Sequence, residues 1–176
     1  MKLDIRIYGD EVLNKRADEV EEITPELKEL IEAMFVKCPE SNGIGLAAPQ
    51  VGVSKRFFVV VVPESTEDAE IKTHAFRQVF INPVIKEPAG SWKYEEGCLS
   101  VPGIWEIVER PENIEVEYTD IDGNRHTERY DGILARVIQH EYDHLDGILF
   151  VSRLPKLKQE LLKRKLKALK ERERDY

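Results

Sequence analysis

Two histidines four residues apart, His140 and His144, stand on either side of Glu141 in the run RVIQHEYDHLDG, residues 136–147. On a helix, positions i and i+4 share one face a turn apart, so the two imidazoles can converge on one metal ion. Glu141 lies about 100° further round the helix, off the ligand row, where it can reach a water on the metal. Two ligands and a general base are the working parts of an H-E-x-x-H site. Ile133, Val137, His140 and His144 fall on one stripe, so the histidines continue an apolar, core-facing surface. Imidazoles placed there need partners, because burying an unsatisfied polar group is costly, and a metal is a good partner.

A catalytic tetrahedral site needs a third protein ligand and an open fourth position. No histidine follows His144, which rules out the arrangement with a third histidine downstream. Glu160 could complete a two-histidine, one-glutamate peptidase site, but it sits in a basic, solvent-facing segment. His74 lies in a polar connection and His126 in a hairpin strand, both positions of ordinary surface histidines. That leaves Cys98, in EEGCLSVPG, whose thiolate suits zinc or iron(II) and whose neighbour Gly97 gives the backbone latitude to aim it. Cys38, near a predicted helix end, has the plainer use of a small apolar filler. Two other readings stay open from these residues: a metallopeptidase using Glu160, and a non-enzymatic protein whose closed structural site has a fourth protein ligand.

The elements that must hold these residues follow from patterning. A short helix is expected after Asp10. Thr24 can cap a helix with Pro25 at its first position, and Leu27, Leu30, Ile31, Met34 and Phe35 form its apolar stripe until about Pro39. The loop SNGIGLAAPQVG leads to RFFVVVV, an unbroken apolar run that predicts a strand buried on both faces. PESTEDAEIKTHAF is polar and acidic, and predicts an exposed connection with little order, centred on 64–77. Strand signals resume at QVFINPVI, WKYEEGCLSV and IEVEYTD, the last joined through IDGN to RHTERY as a hairpin. The helix ILARVIQHEYDHLD follows, with Gly147 placed to end it. A last helix from about Pro155 carries Leu157, Leu161, Leu162, Leu166 and Leu169. Helix, then many strands, then helices predicts an α+β fold with mixed or antiparallel sheets.

With 176 residues, one domain spanning 1–176 is expected. Hydrophobic residues make up 41% and charged residues 34%, a globular composition with a very wet surface. No apolar run approaches the roughly 20 residues that cross a bilayer, and the opening MKLDIRIYGDEVL lacks the apolar core of a secretory signal, so a cytoplasmic address is expected. The two cysteines fit a buried thiol and a metal ligand better than a disulfide in such a compartment. A net charge of −8 argues against a general nucleic-acid binder. The charge is uneven: residues 156–176 hold nine Lys or Arg against four Asp or Glu, a balance of +5 that leaves −13 on the rest.

Three segments carry a specific likeness. GIGLAAPQ at 43–50, EGCLS at 96–100 and QHEYDHLDG at 139–147 resemble, in order and spacing, the signature segments of peptide deformylases. INP at 81–83 and the strands between extend the resemblance over nearly the whole chain. It implies a compact α+β domain with the metal helix central among the sheets. It also implies hydrolysis of the N-formyl group from the initiator methionine of new polypeptides, with release of formate, by one divalent metal. Iron(II) is the expected ion, with zinc, nickel or cobalt as substitutes.

By that resemblance Cys98, His140 and His144 are the metal ligands, and Glu141 takes a proton from the metal's water and returns it to the leaving amine. Gln50 donates its side-chain amide to the developing oxyanion, joined by the backbone N–H of Leu99, and Gly45 aligns the substrate backbone as an edge strand would. Formamide hydrolysis passes through such an oxyanion, so the residue types agree with the chemistry. The methionine side chain needs an apolar pocket, and Ile133, Val137, Ile44 and Tyr94 are placed to line it. Arg136 and Glu96 are charges close to the site that suggest structural pairing, with Arg110 another partner for Glu96. Trp105 stands at the rim of the cleft, where other members often carry a basic residue, which bears on peptide selectivity. The likeness also suggests that the basic helix 155–176, which would otherwise simply cap the fold, docks onto ribosomal RNA.

Overall fold

The computed structural model describes residues 1–174 of the chain. Three helices, α1 (Pro25–Glu40), α2 (Gly132–Leu145) and α3 (Lys156–Arg174), accompany seven strands. The strands are β1 (Gly45–Ala47), β2 (Phe57–Val62), β3 (Phe76–Ala89), β4 (Trp92–Cys98), β5 (Val101–Arg110), β6 (Asn113–Thr119) and β7 (Arg125–Asp131). Five form one sheet in the order β1-β2-β3-β6-β7, and β4 and β5 form a separate two-stranded sheet. Every ladder is antiparallel. This is the expected α+β architecture.

Strand β2 explains its own sequence. Phe58, Val60 and Val62 pack with Phe80, Val116 and Tyr118 beneath Val137, Ile138 and Leu145 of α2. The alternate residues Phe57 and Val59 pack with Ile31, Met34 and Phe35 of α1 on the other face. A strand covered by a helix on each side has no polar face to keep, and burying each such side chain stabilises by roughly 1.5–3 kcal/mol. Thr24 caps α1 through its hydroxyl, which accepts from Leu27 N–H at 3.1 Å, and Pro25 opens the helix.

The other side of α2 faces the small sheet. Val101, Ile104 and Val108 of β5 pack with Leu149, Phe150 and Val151 and with Leu162 and Leu169 of α3. Helix α2 therefore runs between two sheets. Gly147 follows it in the left-handed conformation, φ +73°, and the chain turns at once into the segment that closes this second core.

Three local expectations differ from what forms. First, Val101–Arg110 is a full strand paired along β4, from Trp92↔Arg110 to Glu96↔Glu106. Its alternation is hidden in the sequence because Pro102 and Gly103 interrupt it and one buried position, Arg110, is charged. Second, the acidic connection is exposed but ordered by its own hydrogen bonds. Thr73 Oγ1 donates to Pro63 O at 2.7 Å, Ser65 N–H to Thr73 O at 3.0 Å, and Lys72 Nζ to Thr66 O at 3.2 Å. Third, the strand that follows starts at Phe76 and runs 14 residues, longer than QVFINPVI suggests. The last two residues of the helix expected over 155–176 lie outside the described residues.

Candidate metal centre and active site

The ligand atoms of Cys98, His140 and His144 lie within 4.8 Å of one another, the one such three-residue group found among the described residues. Cys98 Sγ is 3.4 Å from His144 Nε2. Two ligands on a tetrahedral zinc, one sulfur and one imidazole nitrogen, stand roughly 3.5 Å apart given the usual bond lengths. The donor set and spacing therefore fit a divalent ion. His144 lies in the last turn of α2, and burial together with the nearby charge of His140 holds its pKa well below the usual value. It therefore stays neutral, with a lone pair to offer.

The neighbouring His140 is oriented by a carboxylate. Its Nδ1 sits 2.9 Å from Glu96 Oε1, which turns Nε2 toward the cysteine and leaves it 3.9 Å from Glu141 Oε1. Burial works against a charge on His140, but hydrogen bonds with Cys98 and Glu96 outweigh it and hold its pKa well above the usual value. Partners of this kind fix the tautomer and aim of a metal-binding imidazole.

Glu96 is itself the centre of a buried charge network. Arg110 grips it with two bonds, Nε to Oε2 at 2.7 Å and Nη2 to Oε1 at 3.0 Å, and Arg136 Nη1 donates to Oε2 as well. Burial raises the pKa of its carboxyl, yet the bonds from His140 and Arg110 prevail and bring it down to about 2. Arg110 continues the chain to Asp143 at 2.9 Å, and Arg153 closes on the same carboxylate at 2.8 Å. Arg136 also donates to Val108 O at 3.1 Å and lies 4.9 Å over the ring of Trp92. The charges near the site noted in the sequence thus tie β4 and β5 to α2.

Glu141 is buried, and its Oε2 has no hydrogen-bond partner. Burial raises its pKa to about 7, against the lowering charge of His140. The backbone of Gly45 lies flush against it: a Cβ at that position would stand 2.8 Å from Glu141 Cγ and 2.8 Å from Val137 Cγ1. Gly45 is there for close approach, which its position in a turn-like loop does not reveal. Gln50, in the short turn after β1, accepts from Ala47 N–H at 2.9 Å through Oε1. Its Nε2 consequently points at Ser100 Oγ, 3.2 Å away, and at Cys98 Sγ, 3.6 Å away.

A cavity of about 510 Å³ opens over this group. Its walls include Gly43–Gly45 beside β1, Tyr94–Leu99 on and just beyond β4, and Ile133, Val137, His140 and Glu141 of α2. Every residue suggested as catalytic or substrate-binding borders it: Gln50, Leu99, Gly45, Ile44, Tyr94, Ile133 and Val137. Both β1 and β4 are terminal strands of their sheets. The other candidates lie elsewhere. Glu160 is exposed and faces Lys163 at 3.4 Å, His126 pairs with Asp120 at 2.6 Å, and His74 is on the surface. Cys38 is buried in the core under α1, where burial pushes its thiol up to about 12.

Sequence reasoning missed several supports. Ser100 holds Gln50, and Arg56, buried at 3% exposure, donates to Leu145 O at 2.8 Å and pairs with Asp146 at 3.0 Å, pinning the end of α2. Asp143 and Arg153 extend the Glu96 network. The available signal was Asp143 itself, on the α2 face next to the ligands.

Comparison with known proteins agrees with this geometry. The family described as Polypeptide deformylase matches residues 2–160. The peptide deformylase of Cytophaga hutchinsonii is 48% identical over 160 residues, covering 90% of this chain and 85% of that one. That of Neisseria meningitidis is 49% identical over 165 residues, covering 94% of each. Among solved structures, peptide deformylase from Thermus thermophilus superposes with a TM-score of 0.86 at 41% identity, covering 98% of this chain and 99% of that one. The Synechococcus elongatus enzyme in complex with actinonin gives 0.82 at 43%, covering 93% and 87%.

Proposed function

The chain belongs to the polypeptide deformylase family, and on that premise we propose how residues 1–176, acting as a single catalytic domain, remove the N-formyl group from the initiator methionine of nascent polypeptides. The observation that carries the proposal is the convergence of Cys98, His140 and His144 beside a buried Glu141 at the wall of one cavity. These three side chains would hold one divalent ion, iron(II) in the cell, with zinc, nickel or cobalt as substitutes. Such an ion would supply a water acidic enough to attack near neutral pH and would polarise the formyl carbonyl.

The protein's own residues do the rest. Glu141, with one oxygen unpartnered and no competing donor, accepts the proton of the attacking water and delivers it to the departing amine. Gln50 Nε2 is aimed by Ala47 and Ser100 toward Cys98, where it donates to the oxyanion, joined by the backbone N–H of Leu99. Gly45, on a terminal strand, offers its backbone to the substrate as an added strand. Ile44, Tyr94, Ile133 and Val137 shape the methionine pocket from three sides of the cavity. Formate leaves, and the peptide retains a free amino terminus.

We further propose a cytoplasmic setting, with the exposed basic face of α3 docking on ribosomal RNA. No helix among the described residues is long and apolar enough to cross a membrane. One preparation tests the chemistry. Protein purified without oxygen and analysed for metal is given a formyl-methionyl peptide and its unformylated twin. One equivalent of iron, formate released from the first and no cleavage of the second support the reading. Cleavage of the internal peptide bond, or metal bound without formate release, overturns it.

A further inference from the structure

The two oxyanion donors of the proposed reaction stand on different sheets. Gln50 belongs to the turn that follows β1 of the five-stranded sheet, and Leu99 to the turn that joins β4 to β5 of the small one. Their spacing decides whether both can reach one oxygen. The bond from Gln50 Nε2 to Ser100 Oγ, at 3.2 Å, joins two side chains and leaves the backbones of both turns unheld. The opening segment of the chain holds them. Arg6 N–H donates to Gln50 O at 2.7 Å, and Tyr8 N–H donates to Ser100 O at 2.8 Å. Leu3, Ile5 and Ile7 are half-buried while Asp4 and Arg6 are exposed, the alternation of an extended segment. In such a segment residues i and i+2 present their N–H groups on one edge, roughly 6.6 Å apart, so one short stretch can grip a carbonyl on each turn. Packing reinforces the grip. Ile5 lies against the core that includes Ala48 and Val51, and Tyr8 against the core that includes Val101 and Leu149. Arg6 lies so close to Gly52 that a Cβ there would stand 2.9 Å from its Nη2.

We propose that residues 5–8 form a strap that sets the distance between the two oxyanion donors. Arg6 and Tyr8 are its positioning residues, acting through their backbone N–H groups on the turns that carry Gln50 and Leu99. This rests on the deformylase reading of the same site. A misplacement of about 1 Å between groups that must act together can cost roughly 10²-fold in rate. Neither Arg6 nor Tyr8 borders the active-site cavity, so loss of either N–H should be felt in kcat and hardly in KM.

Proline removes a backbone N–H, which gives the test. Metal-loaded, full-length Arg6→Pro is assayed for formate release from a formyl-methionyl peptide. Beside it stand Arg6→Ala, which keeps the N–H, and Asp4→Pro, which loses an N–H that has no acceptor among the described residues. Arg6→Pro should lower kcat by about ten- to hundredfold, with KM shifted less than about threefold and metal content equal to wild type. Arg6→Ala should keep most of the rate that Arg6→Pro loses, and Asp4→Pro should act like wild type. An amide-to-ester exchange at residue 8, made by semisynthesis, removes the second N–H while keeping the tyrosine ring. It should lower kcat over the same range, and it decides the matter if proline unfolds the segment. Because Arg6 acts through Gln50, Arg6→Pro should cost less than about twofold more in Gln50→Ala protein, whereas a general loosening of the fold would multiply with that substitution. Equal rates for Arg6→Pro and Arg6→Ala, an ester at residue 8 without effect, or the same fold-loss with and without the Gln50 amide would overturn the inference. Absence of formate release by the wild type overturns instead the deformylase reading beneath it.

Discussion

Replacing Glu96 with glutamine keeps the shape of the side chain and removes the one anion that faces Arg110, Arg136 and His140 together. Arg110 keeps Asp143 at 2.9 Å, but Arg136, with 4% exposure, is left with the carbonyls of Val108 and Trp92 and the Trp92 ring. The carboxyl of Glu96 sits at about 2 in place of 4.5, and at 1.36 kcal/mol per unit this favours the ionised, folded form by about 3 kcal/mol. Breaking one side of a buried pair commonly costs roughly 3–5 kcal/mol, in agreement. Glu96→Gln should therefore lower unfolding free energy by about 3–4 kcal/mol in urea titrations of chelator-treated protein at pH 7. Glu32→Gln supplies the control, because its pair with Arg77 is exposed on both sides, at 64% and 56%, and should be worth under about 1 kcal/mol. The pH dependence has a definite sign. A folded pKa below the unfolded one contributes stability in full above about 4.5, lost as pH falls toward 2, so the wild type should lose it there and Glu96→Gln should lack that step. Adding Arg136→Met removes the stranded cation, so the double variant should be less destabilised than the sum of the two single ones. A loss no larger than the Glu32 control, or strict additivity of the two substitutions, would refute the idea that this network holds α2 between the sheets.

Gln50→Ala should lower kcat for formate release by about 10²- to 10³-fold while thermal unfolding stays two-state, as expected for loss of one oxyanion donor. Iodoacetamide at pH 8 should label Cys98 alone in chelator-treated protein and neither cysteine once metal is restored, read by intact mass. Cys38, buried and pushed to about 12, supplies no thiolate at that pH. Deleting α3 would disturb the core, since Leu162 and Leu169 are buried in it. Charge reversal of the exposed Arg164 and Lys165 is the cleaner test of ribosome docking: affinity should fall and the slope of log K against log salt should flatten by roughly 1–2.

What was legible in the sequence follows the range of the interaction involved. His140 and His144 are set by spacing along one helix, so their shared face could be read directly, with Glu141 about 100° round from it. Cys98 was reached by elimination and by its glycine neighbour, 42 residues before His140. The covered-on-both-faces character of β2 was visible because burial erases polar alternation. β5 was not, since Arg110 occupies an inward position as a cation whose partners, Glu96 and Asp143, are 14 and 33 residues away. Arg56 escaped for the same reason, being satisfied by the end of a helix 89 residues further on. Gly97 looked like a flexible residue, and it is the ring of Trp105 pressed against it that explains its missing side chain, as Glu141 does for Gly45.

The position of α2 between the five-stranded sheet and the β4–β5 pair has a bearing on how the protein is born. Contacts on its two flanks come from residues as early as Ala17, whose N–H donates to Leu145 O, and as late as Arg153, which holds Asp143, so no early portion of the chain can enclose it. A ribosome must release almost the entire polypeptide before the thiol and imidazoles can meet, and long-range strand pairing delays that closure further. Each newly made copy therefore stays inert through nearly all of its own synthesis. Its own amino terminus must accordingly be left to molecules completed earlier.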